Sequence, residues 1–182
     1  MEEESLVDVF IEIAKGSHIK YEYDKKRGAL VCDRVLHTPF EYEFNYGFIP
    51  ETLSSDGDAL DAVVLMDELI SGCYISCKIL GYLETEDDQG VDPKIILCPS
   101  SKVDPTYNSI TDISDLSKHT MDKIIYFFQH YKDLENKQVK VGKVCNKKEA
   151  LQIYANSIKK YKKNLVLTTE IKNKITNYFP SM

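Results

Sequence analysis

The apolar positions of this chain change period about halfway along. Up to residue 99 they alternate or run in short blocks; beyond residue 112 they recur every three or four residues. Alternation marks a strand with one buried face, and the longer period marks a helix. Residues 7–13 (VDVFIEI) alternate. Residues 19–35 form two strand-like runs about a turn at 25–28, where Lys-Lys-Arg-Gly breaks the pattern. Residues 61–66 (DAVVLM), 73–83 (CYISCKILGYL) and 94–99 (KIILCP) continue the series, separated by loops rich in Asp, Gly and Ser. Many short strands between turn signals predict a small barrel or sandwich.

Two helices follow. Within residues 112–135, Met121, Ile124, Ile125 and Phe128 recur at helical spacing and Tyr131 extends the stripe. Within residues 146–163, Asn146 is placed to cap, Glu149 stands where a capping box needs its acid, and Leu151, Tyr154, Ala155 and Ile158 make the inner face. The lysines from Lys159 to Lys163 then fall in the last turns, where the helix dipole favours cations, and read as a solvated end. Residues 164–182 are polar but keep Leu165, Val166, Ile171, Ile175, Tyr178 and Phe179. Packing on the domain, a subunit contact and fraying are all open to this tail. The expected organisation is one domain over residues 1–163 and a C-terminal extension, of unassigned role, over 164–182.

Composition changes this picture little. With 182 residues, 43% hydrophobic and 29% charged, the chain is long enough for a real core and is not of a disordered type. A net charge of -6 argues against a surface built for non-specific nucleic-acid binding. A small anion is still admissible, because local lysines and a bound metal can reverse the field in a cleft. The five cysteines are odd in number and lack disulfide-framework or zinc-ligand spacing, so free thiols in a reducing compartment are expected. No apolar run approaches the roughly 20 residues of a membrane span, and the acidic start MEEESL does not have the form of a signal peptide. A cytoplasmic protein is expected.

The acids carry the chemistry. SSDGDALDAV packs Asp56, Asp58 and Asp61 into six positions before an apolar run. A solvated turn with aspartates as turn formers is one reading. A calcium loop fails, since counting Asp56 as its first ligand puts Asp61 where that loop needs glycine. An aspartyl-phosphatase motif fails because residues 52–55 are mostly polar. A second acidic stretch, ETEDDQGVDPK, places Glu84, Glu86, Asp87, Asp88 and Asp92 after the long strand, with Lys94 two residues beyond. Two clusters at strand boundaries can converge at one end of a barrel. Hard oxygen donors then favour Mg²⁺ or Mn²⁺, while the scattered His18, His37, His119 and His130 do not suggest zinc. Such a site waits for a phosphate substrate, and Lys20, Arg34, Lys94, Lys132, Tyr46 and Tyr131 are candidate cations and phenols to hold one.

The string DGDALD, together with IKYEYDKKRGALVCDR, FNYGFIPETLS, DDQGVDPK and FFQHYKDLE, resembles the signature blocks of the soluble family I inorganic pyrophosphatases. The blocks stand in family order and span residue 7 to about residue 163. The resemblance implies a mainly β, α+β fold: a compact OB-like closed β-barrel with two C-terminal helices. It implies Mg²⁺-dependent hydrolysis of pyrophosphate to two orthophosphates by direct attack of a metal-bridging hydroxide. By position, Asp56, Asp61 and Asp92 match metal ligands, with Asp61 bridging. Asp87 and Asp92 would hold a further ion and Glu22 another. Asp58 matches the general base, or the group that orients the attacking water. Lys20, Arg34, Tyr46, Lys94, Tyr131 and Lys132 would grip the phosphates, with Glu12 and Tyr42 in support. Several Mg²⁺ ions are implied, with Mn²⁺ a possible substitute. Two metals sharing a water lower its pKa, and the remaining cations offset charge on the reacting phosphates.

Departures touch no proposed catalytic group. Ala59 stands where the signature usually has proline, Glu43 follows Tyr42 where proline is common, and there is no tryptophan. Tyr126 occupies a position that is histidine in familiar bacterial hexamers, while His130 is kept. A homo-oligomer, with a hexamer favoured, is the implied assembly; neither nucleic acid nor membrane is an implied partner. The rival from another class is a non-catalytic OB-like module binding nucleic acid or phosphorylated ligands, which would need aromatics beside a basic groove. A catalytically dead relative is the third reading.

Overall fold

The computed structural model describes residues 6–87 and 90–178, and no side chains from 170 on; Asp88 and Phe179 therefore lie outside the described residues. In chain order the strands are β1 (Leu6–Ile13), β2 (Ile19–Asp24), β3 (Ala29–Val35), β4 (Asn45–Ile49), β5 (Leu60–Val64), β6 (Tyr74–Asp87), β7 (Gly90–Val91), β8 (Lys94–Pro99) and β9 (Lys140–Asn146). Helix α1 (Lys118–His130) lies between β8 and β9, and α2 (Lys147–Tyr178) follows β9. Strands β1, β4, β5, β8 and β6 pair in that order, and β6 pairs back onto β1, so five strands close a ring. All its contacts are antiparallel except β5–β8. The far half of β6 also carries β7 and β9, and β2–β3 form a separate hairpin.

Each ring strand divides its side chains between two apolar clusters. Leu60, Ala62 and Val64 of β5 and Ile95 and Leu97 of β8 meet Val7, Val9 and Ile11 in one cluster, which Ala150 of α2 joins. Val63, Ile96 and Cys98 point the other way, into a cluster with Phe127, Phe128 and Tyr131 at the end of α1. Both faces of β8 are thus covered and all six of its residues are buried, which is why KIILCP reads as a continuous apolar block. The register of β6 shifts between Ile79 and Gly81, and its later residues Leu80 and Leu83 join the α1 cluster, whereas Cys77 and Ile79 belong to the first. A bulge of this kind bends a strand and helps a small barrel to close.

Glycine is required at two of the tight contacts. A Cβ on Gly47 would lie 1.8 Å from the Phe10 carbonyl oxygen, where β4 crosses β1, and one on Gly81 would lie 2.4 Å from the Cys145 carbonyl oxygen. Neither obstacle is a side chain that can swing away.

The structure amends four sequence expectations. FNYGFIP contains a strand, β4, whose alternation is hidden because four of its five residues are buried. KVGKVCN forms β9, mostly exposed and therefore without an apolar signal. Strand β6 runs on through Asp87, so Glu84, Glu86 and Asp87 lie on it rather than in a following loop. Helix α2 does not end at Lys163: neither glycine nor proline interrupts the sequence before Pro180, and Lys159–Lys163 sit within the helix, not in its last turns. The predicted capping box does form, with Asn146 Oδ1 accepting from the Glu149 N–H at 3.1 Å and Glu149 Oε2 accepting from the Asn146 N–H at 3.0 Å.

Gly47→Ala should lower the free energy of unfolding by about 3 kcal/mol, the upper range for forcing extra volume into a packed interior. Denaturant titration of the two proteins measures it, and equal midpoints would show that β1 and β4 can separate freely.

Candidate active site

Parallel pairing of β5 with β8 sets Ala62 opposite Ile95, and so brings Asp61 beside Lys94 at the start of both strands. The Lys94 ammonium donates to Asp61 Oδ2 and to Asp92 Oδ2, and the Tyr46 hydroxyl, from β4, donates to the same Asp61 oxygen at 2.6 Å. Only 5% of the Lys94 side chain is exposed. Burial works to lower its pKa, but the charges and hydrogen bonds of Asp61 and Asp92 outweigh burial and raise it. Asp92 is pushed up to about 6, first by burial and then by the charge of Asp61, against the pull of Lys94. Two carboxylates therefore share one ammonium, and a surplus of negative charge stays in a poorly solvated place.

The end of α1 and the β2–β3 hairpin complete the surroundings. Lys132 Nζ donates to Asp87 Oδ2 at 3.0 Å. Burial, with Asp61 and Asp92 near, drives the Tyr131 phenol far above its ordinary value, and the charges of Arg34 and Asp87 also reach it. Arg34 Nε donates to Glu135 Oε1 at 3.0 Å, and its other nitrogen meets Asp33. Burial alone would lower the guanidinium pKa; Glu135 and Asp33 raise it. Lys20 pairs with Glu22 and stands 3.6 Å from Asp33. Tyr42 is buried, its ring 4.8 Å from that of Phe127, and burial raises its phenol beside Tyr131. Burial likewise raises Tyr46, next to Asp61. Glu12 Oε1 accepts from the Tyr23 N–H at 2.7 Å; burial, with Asp61 and Glu22 adding repulsion, lifts this carboxyl to about 7.

Of the residues singled out in the sequence, Asp61, Asp92, Lys94 and Tyr46 are thus in direct contact. Tyr42, Tyr131, Arg34, Asp87, Lys132, Glu12, Lys20 and Glu22 are linked to them by hydrogen bonds or by the electrostatic influence just described. Asp56 affects Asp92 through its charge, and its Oδ1 accepts from the Asp58 N–H at 3.0 Å. Asp58 itself points outward: its side chain is 83% exposed, with Lys25 Nζ 4.0 Å away. Glu84 belongs elsewhere, since Oε2 accepts from the Lys143 N–H at 3.1 Å beneath Gly142. Sequence reading missed Glu135 and Asp33, which hold Arg34. Glu135 was visible in HYKDLE, but its partner is 101 residues away and no local spacing reveals the pair.

Among the described residues no three His, Cys, Asp or Glu side chains stand close enough to hold an ion as they are. The donor set nevertheless fits a hard divalent cation. Every candidate ligand is a carboxylate, Asp61 and Asp92 converge on one cationic atom, and the Asp92 pKa, raised first by burial and then by the charge of Asp61, marks a place that a further positive charge would favour. An incoming ion would compete with Lys94 for the same oxygens.

Fold and site together define a small closed-barrel protein whose mouth gathers hard oxygen ligands and cations, an arrangement for handling a compact polyanion. Residues 9–162 match the family model described as inorganic pyrophosphatase. The chain is 51% identical over 155 residues to the inorganic pyrophosphatase of Helicobacter pylori strain ATCC 700392 / 26695, covering 84% of this chain and 90% of that one. It is 50% identical over 159 residues to that of Nanoarchaeum equitans, covering 86% and 98%. Among solved structures, the Helicobacter pylori inorganic pyrophosphatase superposes with a TM-score of 0.85 at 48% identity, covering 89% of this chain and 96% of that one. The Thermus thermophilus enzyme gives 0.84 at 37% identity, covering 89% and 94%. The chain belongs to the inorganic pyrophosphatase family and is a hydrolase, and its barrel is that family's OB-like fold.

Glu12 provides a test of the site's electrostatics. Because its folded pKa of about 7 exceeds the ordinary 4.5, the folded chain binds more protons than the unfolded one between those values. Its contribution to stability is therefore greatest below pH 4.5 and declines as pH rises through 7. In chelator, Glu12→Gln should flatten the fall in stability over this window and leave the variant more stable than the parent at pH 7. Denaturant midpoints at several pH values check this, and parallel profiles would show that Glu12 does not titrate there.

Proposed function

We propose that the chain hydrolyses inorganic pyrophosphate to two orthophosphates with Mg²⁺ as its metal, Mn²⁺ being a substitute. The observation that carries this reading is the half-buried nest of Asp61, Asp92, Lys94 and Tyr46, in which carboxylates, an ammonium and a phenol bond directly to one another. Pyrophosphate is small and densely charged, and it needs both kinds of partner at once.

Asp56, Asp61, Asp87 and Asp92, with Glu22, are the residues to hold the metal. When bound, it would screen the substrate's charge and acidify a coordinated water. Lys94, Lys132, Arg34 and Lys20 take phosphoryl oxygens in place of the carboxylates they now hold. Tyr46 and Tyr131, whose phenols stay protonated because burial opposes their charge, donate O–H hydrogen bonds without adding negative charge. Asp58 receives the proton of the attacking water or fixes its orientation. Its exposed carboxylate, with only a distant pairing to Lys25, can turn without breaking a close contact. Glu12 and Tyr42 support the hairpin and the phenol cluster. Attack by water needs no covalent intermediate on the chain.

Other features support the setting. Cys77, Cys98 and Cys145 are buried, and among the described residues the cysteine side chains form no disulfide, which supports a reducing compartment. No described helix is long and apolar enough to cross a membrane. Tyr126 is exposed, with its ring 4.3 Å from that of His130. The same face carries a cavity of about 470 Å³ lined by Phe40, His119 and Phe127. A homo-oligomer, hexameric by family resemblance, would use this face.

Orthophosphate release from pyrophosphate should require added Mg²⁺, and Asp58→Asn should reduce turnover roughly 10²–10⁴-fold, the range for loss of a general base. Steady-state assays with and without the metal decide both points. No release with the metal present would refute the reaction, and near-parental turnover in the variant would remove Asp58 from its role.

A further inference from the structure

The segment after α1 carries a buried acid to which the proposed chemistry gives no part. Tyr131 caps the helix, Lys132 follows, and Asp133–Glu135 form a single turn that stops at Asn136. Asn136 has a φ of 55°, the left-handed conformation that asparagine tolerates better than most residues with a side chain. The Glu135 N–H closes the turn on the Lys132 carbonyl at 2.9 Å. The two acids of the turn then face different ways. Asp133 has a side chain 53% exposed and pairs with His130 Nδ1 at 2.9 Å. Glu135 turns inward, 7% exposed, and accepts from Arg34 Nε at 3.0 Å. Close by, the Thr38 hydroxyl donates to the Tyr131 carbonyl at 3.3 Å. Residues 34–38 and 131–135 are thus fastened at two points, which fixes an orientation where one would allow rotation.

A guanidinium has distinct edges. Its Nε–H points to one side of the plane, and its two terminal nitrogens make the fork that suits a phosphate. Glu135 takes Nε of Arg34 and Asp33 takes Nη1. These two carboxylates are not equally replaceable. The Asp33 side chain is 32% exposed and stands 3.6 Å from Lys20 Nζ, so on losing Arg34 it keeps both water and a second cation. Glu135 is nearly sealed, and parting it from Arg34 would strip a buried charge of the cation that compensates it, which is strongly unfavourable. A phosphate approaching Arg34 therefore displaces Asp33 from the fork and leaves Glu135 on Nε.

We infer that Glu135 is a positioning residue, which stays bonded to Arg34 Nε when substrate binds and aims the terminal nitrogens at a phosphoryl group. The inference rests on Arg34 being a phosphate-binding cation, as proposed above. Of the two acids that Arg34 holds, only Asp33 is then exchanged for a phosphoryl oxygen. Tyr131 and Lys132 lie in the segment that carries Glu135, so the same bond sets Arg34 relative to both of them.

Three full-length variants separate reach from charge. Glu135→Gln keeps an acceptor oxygen at the same reach, Glu135→Asp keeps the charge one methylene short, and Glu135→Ala keeps neither. Each is made in the parent and in Arg34→Ala, and read with Mg²⁺ present by steady-state hydrolysis of pyrophosphate and by calorimetric titration with inorganic phosphate. Glu135→Asp and Glu135→Ala should raise KM on the order of tenfold with kcat within about threefold, as loss of a grip made equally in ground and transition states does. Both should weaken inorganic phosphate to a similar degree, and Glu135→Gln should stay within about threefold of the parent in each readout. On the Arg34→Ala background none of the three should add more than about twofold, because the group they position is gone. The inference fails if Glu135→Gln is as impaired as Glu135→Ala, if Glu135→Ala matches the parent, or if the losses multiply on the Arg34→Ala background. Should Glu135→Ala not fold, the contrast between the Gln and Asp variants decides. A parent that binds phosphate but releases none from pyrophosphate refutes the reaction, and the phosphate titrations alone then judge Glu135; a parent that does neither overturns both.

Discussion

One buried ammonium holds the centre of this molecule together. Lys94 begins a strand with both faces covered, where burial opposes a charge, and its ammonium lies 5.8 Å from the centre of the Tyr46 ring and 5.9 Å from that of Phe128. It stays ionised because Asp61 lies beside it on the parallel neighbour and Asp92 stands two residues before it in the chain. Removing either carboxylate would leave the lysine poorly compensated, and removing the lysine would leave two acids in mutual repulsion. The β5–β8 register and the hydroxyl of Tyr46 are both tied to this arrangement. The same constraint makes the site responsive to cations and anions, because each charge there is already bound to a partner that a ligand can replace.

The other cations repeat the pattern at the edge of the site. Lys132 is held by Asp87, Arg34 by Glu135 and Asp33, and Lys20 by Glu22. A polyanion entering such a site exchanges partners rather than meeting bare charges, so much of its electrostatic attraction offsets ion pairs that must open. Divalent metal on the released carboxylates would settle both sides of the exchange together. Competition for shared atoms would then couple a metal to an anionic ligand without any shift of the barrel.

How far this was legible in the sequence depended on distance along the chain. Alternation found the β2–β3 hairpin, and the capping box at Asn146 and Glu149 was read correctly because its two residues are three apart. The string DGDALD brought Asp56, Asp58 and Asp61 into view for the same reason. Strand β4 was hidden by burial of four of its five residues, and β9 by exposure of most of its residues, since period-two reading requires one face of each kind. The lysines after Ile158 looked like a helix end because dipole arguments locate cations there. A helix continues wherever the following residues permit it, and these do. Pairings such as Arg34 with Glu135 could not be read at all, because only the closed fold brings them together.

That last pair bears on how the site is assembled. The hairpin carrying Lys20, Glu22 and Arg34 is not part of the ring, so the barrel alone does not fix its distance from Lys94. It is tied at one side by the Glu12–Tyr23 hydrogen bond and the packing of Phe10 against Tyr23, both to β1. On the other side Glu135, just beyond Lys132, reaches Arg34. The two ties join the hairpin to β1 and to the segment that follows α1. Loss of the Glu135 tie would free Arg34 and Lys20 together while leaving Lys94 in place, whereas loss of the β1 tie would disturb Glu12 and its unusual proton affinity first. The spacing between Lys94 and the pair Arg34 and Lys20 thus depends on Glu12, Tyr23 and Glu135, acting across a gap that the ring of strands does not span.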